Sequence, residues 1–298
     1  MKPTLPAIRA TLTQLRTLDA VARLGGVGKA AAALHLAQPT VSTQLRELAA
    51  ATDLQLFEPE GRGLRITADG ERLWAAAREM FDVWRRFEED QADVRGLRAG
   101  RLQVAAVTTT EYFLPELLGP FAQAYPGIDI ELTVENRDAV VRRLREGVAE
   151  LAVMMLPPTD LPLNRWPLMA NPLVLVAPAG HPLAGRRSVP WSRLIAEPRL
   201  AREPGSGTRL ATDQFLAHQG IDWQPRMALG SNEALKHAVA AGLGLAVLSR
   251  HTLGGDATGL VELKASGLPI RRHWQVVWRQ DRRLSRAAQA LLAAWRER

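Results

Sequence analysis

The stretch Leu36-Ala37-Gln38-Pro39-Thr40-Val41-Ser42-Thr43-Gln44-Leu45-Arg46-Glu47-Leu48 decides the fold of the N-terminal third. Gln38-Pro39 opens a helix, with proline at the first helical position, where its missing N–H costs nothing. Val41, Leu45 and Leu48 follow at helical spacing and share an inward face. Thr40, Thr43, Gln44 and Arg46 then take the outer face, with Ser42 at its border. Just upstream, Val27-Gly28-Lys29-Ala30-Ala31-Ala32-Ala33-Leu34-His35-Leu36 reads as a short helix whose small residues permit close packing. Before it, Thr13 can cap a helix carrying Leu15, Leu18 and Ala22 that ends at Gly25-Gly26. A small helix, a tight turn and a helix with a hydrogen-bonding outer face form the pattern of a helix-turn-helix.

Downstream, Gly61-Arg62-Gly63-Leu64-Arg65-Ile66-Thr67 is glycine-punctuated, basic and strand-like, as a wing hairpin would be. Gln44 and Arg46 have the reach and donors to read base edges, although Arg46 suits a phosphate equally. Thr40, Ser42 and Thr43 suit phosphates or thymine methyls, and Lys29, Arg62 and Arg65 suit phosphates. Thr67 can cap a long helix in which Leu73, Ala77, Met80, Trp84, Phe87, Gln91 and Val94 recur as a heptad seam with one polar position. Such a seam points to two chains packing together through Leu73, Ala77, Met80, Trp84, Phe87 and Val94; burial against the chain's own domain is the alternative. Two paired DNA-binding domains would need an interrupted inverted repeat, with half-sites about 34 Å apart or a multiple of that.

From residue 101 onward strand-like runs alternate with helices. Strands are expected at 102–107, 128–134, 151–155, 173–177, 244–248 and 274–278. Helices are expected at 112–125, 139–146, 208–219, 234–241 and 285–296. This is an α/β pattern with mainly parallel sheets, and its length fits two lobes joined by crossing strands. Gly205-Ser206-Gly207-Thr208 precedes one of the helices. Free N–H groups at a helix start, two glycines and two hydroxyls make an anion cradle, with Arg202 and Arg209 adding charge; a plain helix cap is the alternative. Asn232 stands at another helix start, either as cap or as ligand contact. Thr108 and Thr109 follow the first strand, and ligands of open α/β sheets bind at the carboxyl ends of strands.

Composition narrows the function further. The chain has 298 residues, which suits about two domains of roughly 100–200 residues. Its net charge of +7 is unevenly spread: +1 over the first hundred residues and +6 over the rest. A DNA claim therefore rests on local pattern and not on bulk charge. There is no cysteine, hence no disulfide, thiolate metal site or cysteine nucleophile. The six histidines have no metal-ligand spacing, and there is neither a phosphate-binding Walker loop nor a nucleophile elbow. An enzyme is not expected. No apolar run approaches the roughly 18 residues of a membrane helix, and Met1-Lys2-Pro3-Thr4-Leu5-Pro6 lacks the apolar core of a secretory signal. These features lead us to expect a cytoplasmic protein. A transport solute-binding protein would share the two-lobed architecture, but not the helix-turn-helix.

The residues resemble the LysR-type transcriptional regulators along essentially the whole chain. Leu36-Ala37-Gln38-Pro39-Thr40-Val41-Ser42, Gln44-Leu45, Leu48, Leu56-Phe57 and Ile66-Thr67-Ala68-Asp69-Gly70 carry the DNA-binding signature. Within the family the likeness is to regulators of carbon-fixation (RuBisCO) operons, the CbbR type. It rests on Arg202-Glu203-Pro204-Gly205-Ser206-Gly207-Thr208-Arg209, Gly230-Ser231-Asn232-Glu233-Ala234-Leu235-Lys236 and Leu248-Ser249-Arg250-His251-Thr252-Leu253. Asn171-Pro172-Leu173-Val174 and Leu268-Pro269-Ile270-Arg271-Arg272 add to it.

The resemblance implies a winged helix-turn-helix over 1–67, a pairing helix over 68–98 and a bilobed, periplasmic-binding-protein-like α/β domain over 99–298. Lobe I would comprise about 99–170 plus 267–298, and lobe II about 171–266. It places Gln38 and Pro39 against DNA and adds Asn136 to an effector pocket between the lobes. The implied partners are promoter DNA, further copies of the chain in dimers or tetramers, and RNA polymerase. No metal, membrane or fixed cofactor is implied. The effector would be a phosphorylated Calvin-cycle intermediate, phosphoenolpyruvate or NADPH; a regulator of another pathway with a non-phosphorylated anion is the alternative. Three departures stand out: Gly26-Val27-Gly28-Lys29 replaces the usual Ser-Phe-Thr-Arg, Pro59 replaces an arginine, and the glutamate before Ala-Gly is shifted to Ala68-Asp69. Two of them remove backbone contacts, so nonspecific DNA binding weaker than the family norm is expected.

Overall fold

The computed structural model describes residues 9–60, 63–93, 100–254 and 259–297, without the side chains of 85–86 and 88–93. Arg62, expected to meet a phosphate, and Val94, expected in the seam, lie outside these residues. The chain divides into two units, Met1–Gln91 and Ala92–Arg298.

The first unit runs α1 (Leu12–Leu24), α2 (Val27–Leu34), α3 (Gln38–Thr52), β1 (Phe57–Glu60), β2 (Gly63–Ile66) and α4 (Ala68–Asp93). Thr11, not Thr13, caps α1. Its hydroxyl accepts from Gln14 N at 3.2 Å, while Gln14 Oε1 accepts from Thr11 N at 2.9 Å. That reciprocal box needs Gln or Glu three residues on; Thr13 is followed there by Arg16. Val41, Leu45 and Leu48 face inward as expected, packing on Leu15, Leu18, Val21, Ala30 and Ala31. β1 and β2 pair antiparallel from Phe57↔Ile66 to Glu60↔Gly63, which is the wing. Thr67 caps α4 by accepting from Gly70 N at 3.0 Å. Gly70 must be glycine, because a Cβ there would fall 2.2 Å from Leu56 O.

The second unit holds two five-stranded sheets. Its elements are β3 (Gly100–Val107), a 3-10 turn (Thr108–Tyr112), α5 (Leu114–Ala124), β4 (Ile128–Glu135), α6 (Arg137–Glu146), β5 (Leu151–Met154), β6 (Leu163–Ala170) and β7 (Leu173–Pro178). Then follow α7 (Trp191–Leu194), β8 (Arg199–Arg202), α8 (Gly207–His218), β9 (Pro225–Leu229), α9 (Asn232–Ala240), β10 (Leu245–Ser249), a 3-10 turn (Arg250–Leu253), β11 (Leu260–Leu263), β12 (His273–Arg279) and α10 (Arg286–Arg296). One sheet has the order β4-β3-β5-β12-β6 and the other β11-β7-β10-β8-β9.

Both sheets are mixed rather than mainly parallel. β3 pairs parallel with β4 and β5, but β12 runs antiparallel to β5 and β6. In the second sheet β7 is antiparallel to both neighbours. The cause is the crossing: the chain passes between sheets after β6 and returns before β12. The two passages pair with each other, Asn171 N donating to Arg272 O at 2.7 Å and Leu173 N to Ile270 O at 3.0 Å. Asn171 also accepts from Ser249 Oγ at 2.7 Å. The expected helix 112–125 divides at Phe113, whose backbone leaves helical geometry, so a 3-10 turn precedes α5.

Candidate functional site

β3 ends at the Thr108–Tyr112 turn, and β4 delivers the chain to Asn136 at the start of α6. From the other sheet, β8 leads through Pro204-Gly205 to the start of α8. Thr108, Thr109, Asn136, Ser206, Gly207 and Thr208 thereby line one narrow pocket between the sheets. Val107, Arg137, Met155 and Trp274 complete its wall.

Ser206 is the cap residue of α8, yet its side chain makes no cap bond. The first N–H groups of a helix have no intrahelical partner, and here they lie beside an uncommitted hydroxyl. A plain helix cap would have used that hydroxyl, as Ser231 does for α9 and Ser285 for α10. Asn136 does cap its helix, accepting from Ala139 N at 3.0 Å, which leaves its amide N–H groups to donate.

Four expected contacts stand differently. Arg202 is sealed: its guanidinium is 1% exposed and donates to Glu203 at 2.8 and 3.0 Å, to Thr108 Oγ1 at 3.1 Å and to Asn232 Oδ1. It ties the sheets together instead of presenting charge to the pocket. Asn232 is buried with it, donates to Thr109 Oγ1 at 3.3 Å, and yields the cap of α9 to Ser231. Gly205 (φ +86°) packs on Asp138, whose N donates to Gly205 O at 3.3 Å. Arg209 turns to Asp213 and to Arg202 O. Sequence reasoning missed Arg137, Trp274 and Glu203. The position of Arg137, directly after a cap residue at the end of a strand, was the available signal.

A second tie between the sheets joins Tyr112 to Glu233, its hydroxyl donating to the carboxylate. Lys236 first and Tyr112 second hold the Glu233 carboxyl below its ordinary range, while burial, aided by Glu233, pushes the Tyr112 hydroxyl up.

In the first unit Lys29, Gln38, Pro39, Thr40, Ser42 and Arg46 are exposed along the starts and outer face of α2 and α3. Gln44 is half-buried, its carbonyl accepting from Thr17 Oγ1, and Thr43 is half-buried beside it. The side chain of Gln44 is thus partly spent inside the domain. Arg65 pairs with Glu58 and, at 3.6 Å, with Glu60 along the hairpin. In α4, Ala77 is covered by its own domain, and Leu73 is half-buried against the same core. Met80, Trp84 and Phe87 are 40%, 53% and 51% exposed.

A winged helix-turn-helix and a two-sheet α/β unit with an interlobe pocket are the organisation of a DNA-binding transcriptional regulator. The chain belongs to the LysR family: residues 12–71 match the model of the bacterial regulatory helix-turn-helix protein, lysR family, and residues 95–298 that of the LysR substrate binding domain. It is 38% identical to the HTH-type transcriptional activator CmpR of Synechocystis sp. over 95% of this chain and 94% of that protein. It is 39% identical to the RuBisCO operon transcriptional regulator of Allochromatium vinosum, with the same coverage of both chains. These relatives are named as regulators, not as enzymes. Among solved structures, the Synechocystis PCC6803 CcmR regulatory domain in complex with 2-PG is 41% identical, with a TM-score of 0.64 over 66% of this chain and 95% of that one. Full-length CbnR complexed with its target DNA shares the fold at 21% identity, with a TM-score of 0.67 over 96% of this chain and 99% of that one. Among the described residues no helix is long and apolar enough to cross a membrane.

Proposed function

We propose that this regulator controls a carbon-fixation operon in answer to a small phosphorylated anion held between its two sheets. One observation carries the reading. Thr108, Thr109, Asn136, Ser206, Gly207 and Thr208, from three separate parts of the sequence, converge on one pocket beside two helix starts. Backbone N–H groups and hydroxyls at helix starts are suited to phosphate oxygens. The likeness to a domain solved with 2-PG supports that class of ligand.

On the DNA side, the exposed residues of α3 meet the major groove, and Met80, Trp84 and Phe87 pair two chains over an interrupted inverted repeat. The anion acts only if it prefers one arrangement of the sheets, since equal affinity for both would shift nothing.

Thermal unfolding with 2-PG, phosphoenolpyruvate and ribulose bisphosphate tests the reading. A ligand at a hundredfold its dissociation constant adds about 2.7 kcal/mol. Ser206→Ala and Thr208→Ala should remove the shift. Stabilisation by non-phosphorylated carboxylates alone would assign the protein to another pathway. Footprinting of a carbon-fixation promoter at moderate salt tests the operator, and an absence of protection there would overturn that assignment.

A further inference from the structure

An anion entering a pocket needs a countercharge, and Arg202 cannot provide it, because Glu203 already balances its buried guanidinium. Among the residues lining the pocket, Arg137 alone is charged. It is the first residue of α6, and its side chain is 16% exposed. Its Nε donates to Leu156 O at 2.8 Å, which fixes the guanidinium plane. Nη1 reaches Asp138 Oδ1 at 3.1 Å, but that carboxylate is mostly exposed and such a pair is weak. Among the described residues Nη2 has no hydrogen bond. The stem runs beside Gly207, where a Cβ would lie 3.8 Å from Arg137 Cδ. Arg137 also lines a larger, open outer hollow with Arg209, Asp138 and Asp213.

A second, independent observation lies in the same wall. Trp274 is 1% exposed, and its indole N–H is buried without an acceptor. Buried tryptophan N–H groups usually find one.

We propose that the pocket takes a compact oxyanion whose charge is met by Arg137 and whose oxygen accepts from the Trp274 indole N–H. This rests on the reading that the effector sits between the sheets, and it names the two groups that make the site selective for anions.

Titration calorimetry of the full chain with 2-PG and with inorganic phosphate tests it. Arg137→Gln should weaken 2-PG roughly ten- to hundredfold, the usual effect of losing a charged hydrogen bond. Arg137→Lys should recover part of the loss, and Trp274→Phe should cost about tenfold. In unsubstituted protein the Trp274 indole proton resonance should move downfield on saturation with 2-PG, which needs no variant to fold. If Arg137→Gln binds as tightly as the unsubstituted chain while Ser206→Ala with Thr208→Ala loses 2-PG, the pocket stands and this inference fails. If all these variants bind equally well, the pocket reading fails too. An unmoved indole resonance overturns the role of Trp274, and an unsubstituted chain that binds neither anion overturns the proposal.

Discussion

Arg202 and Glu203, neighbours at the end of β8, close a two-pronged ion pair, Nε to Oε2 at 2.8 Å and Nη2 to Oε1 at 3.0 Å. The same guanidinium reaches Thr108 in the other sheet, so the pair fastens the two sheets beneath the pocket. Glu203→Gln would leave the charge buried without its counterion. Breaking a buried pair costs about 3–5 kcal/mol, and the partial exposure of Glu203 puts this one near 3. Calorimetry should show the second unit melting roughly 6–12 °C lower.

Tyr112 and Glu233 give a pH signature. The folded pKa of Glu233 lies below its ordinary 4.5, through Lys236 and then Tyr112. A carboxyl depressed in this way stabilises the fold above its unfolded pKa, and the contribution is lost as pH falls through the lower folded value. Tyr112→Phe should therefore cost about 0.5 kcal/mol at pH 7, discounted for the exposure of Glu233. Urea melts should show the gap between variant and parent closing as pH drops below 4.5.

For DNA, Arg46 and Arg65 should separate. Arg46 is exposed, whereas Arg65 is engaged by Glu58 and Glu60. Arg46→Ala should weaken operator binding by about 1–3 kcal/mol if the residue reads a base, with relaxed preference there. If it meets a phosphate instead, the salt slope falls by about 0.9. Arg65→Ala should do less in the same salt series.

Gly28 bears on the same measurement. A Cβ there would lie 3.0 Å from Gln38 Nε2, so Gln38 occupies space the family's threonine would take. The nonspecific salt slope should be shallower than that of a relative with Ser-Phe-Thr at these positions. Gly28→Thr should move Gln38 before it adds any contact, which operator titration would register.

Among the described residues the heptads of α4 are exposed at Met80, Trp84 and Phe87. If the proposed pairing runs through them, Trp84→Ala with Phe87→Ala should shift sedimentation from dimer toward monomer, because both are large, apolar and exposed. An unchanged sedimentation coefficient would place pairing elsewhere.

The legible parts were those where periodicity acts alone. Val41, Leu45 and Leu48 faced inward because a helix repeats every 3.6 residues whatever surrounds it. All six expected strands exist; β5, β7 and β10 are buried almost throughout, while β4, at a sheet edge, is mostly half-buried. β6, β8, β9 and β11 escaped notice for other reasons. β6 carries Pro167 and, like β9 and β11, lies at a sheet edge, where one-sided burial weakens the pattern. β8 hides two arginines in a buried strand, which no hydropathy reading allows; Arg199 is held by Trp223 O and Asp213, and Arg202 by Glu203.

By itself, the sequence determined the helix-turn-helix, the α/β alternation and the small polar residues that crowd the helix starts, because each follows from local spacing and backbone chemistry. Only the tertiary structure decided which charges remain available. Arg202 and Arg137 are indistinguishable as letters, each followed by an acidic residue; long-range packing against Thr108 and Asn232 seals Arg202 with Glu203 out of solvent and leaves Arg137 in the pocket wall.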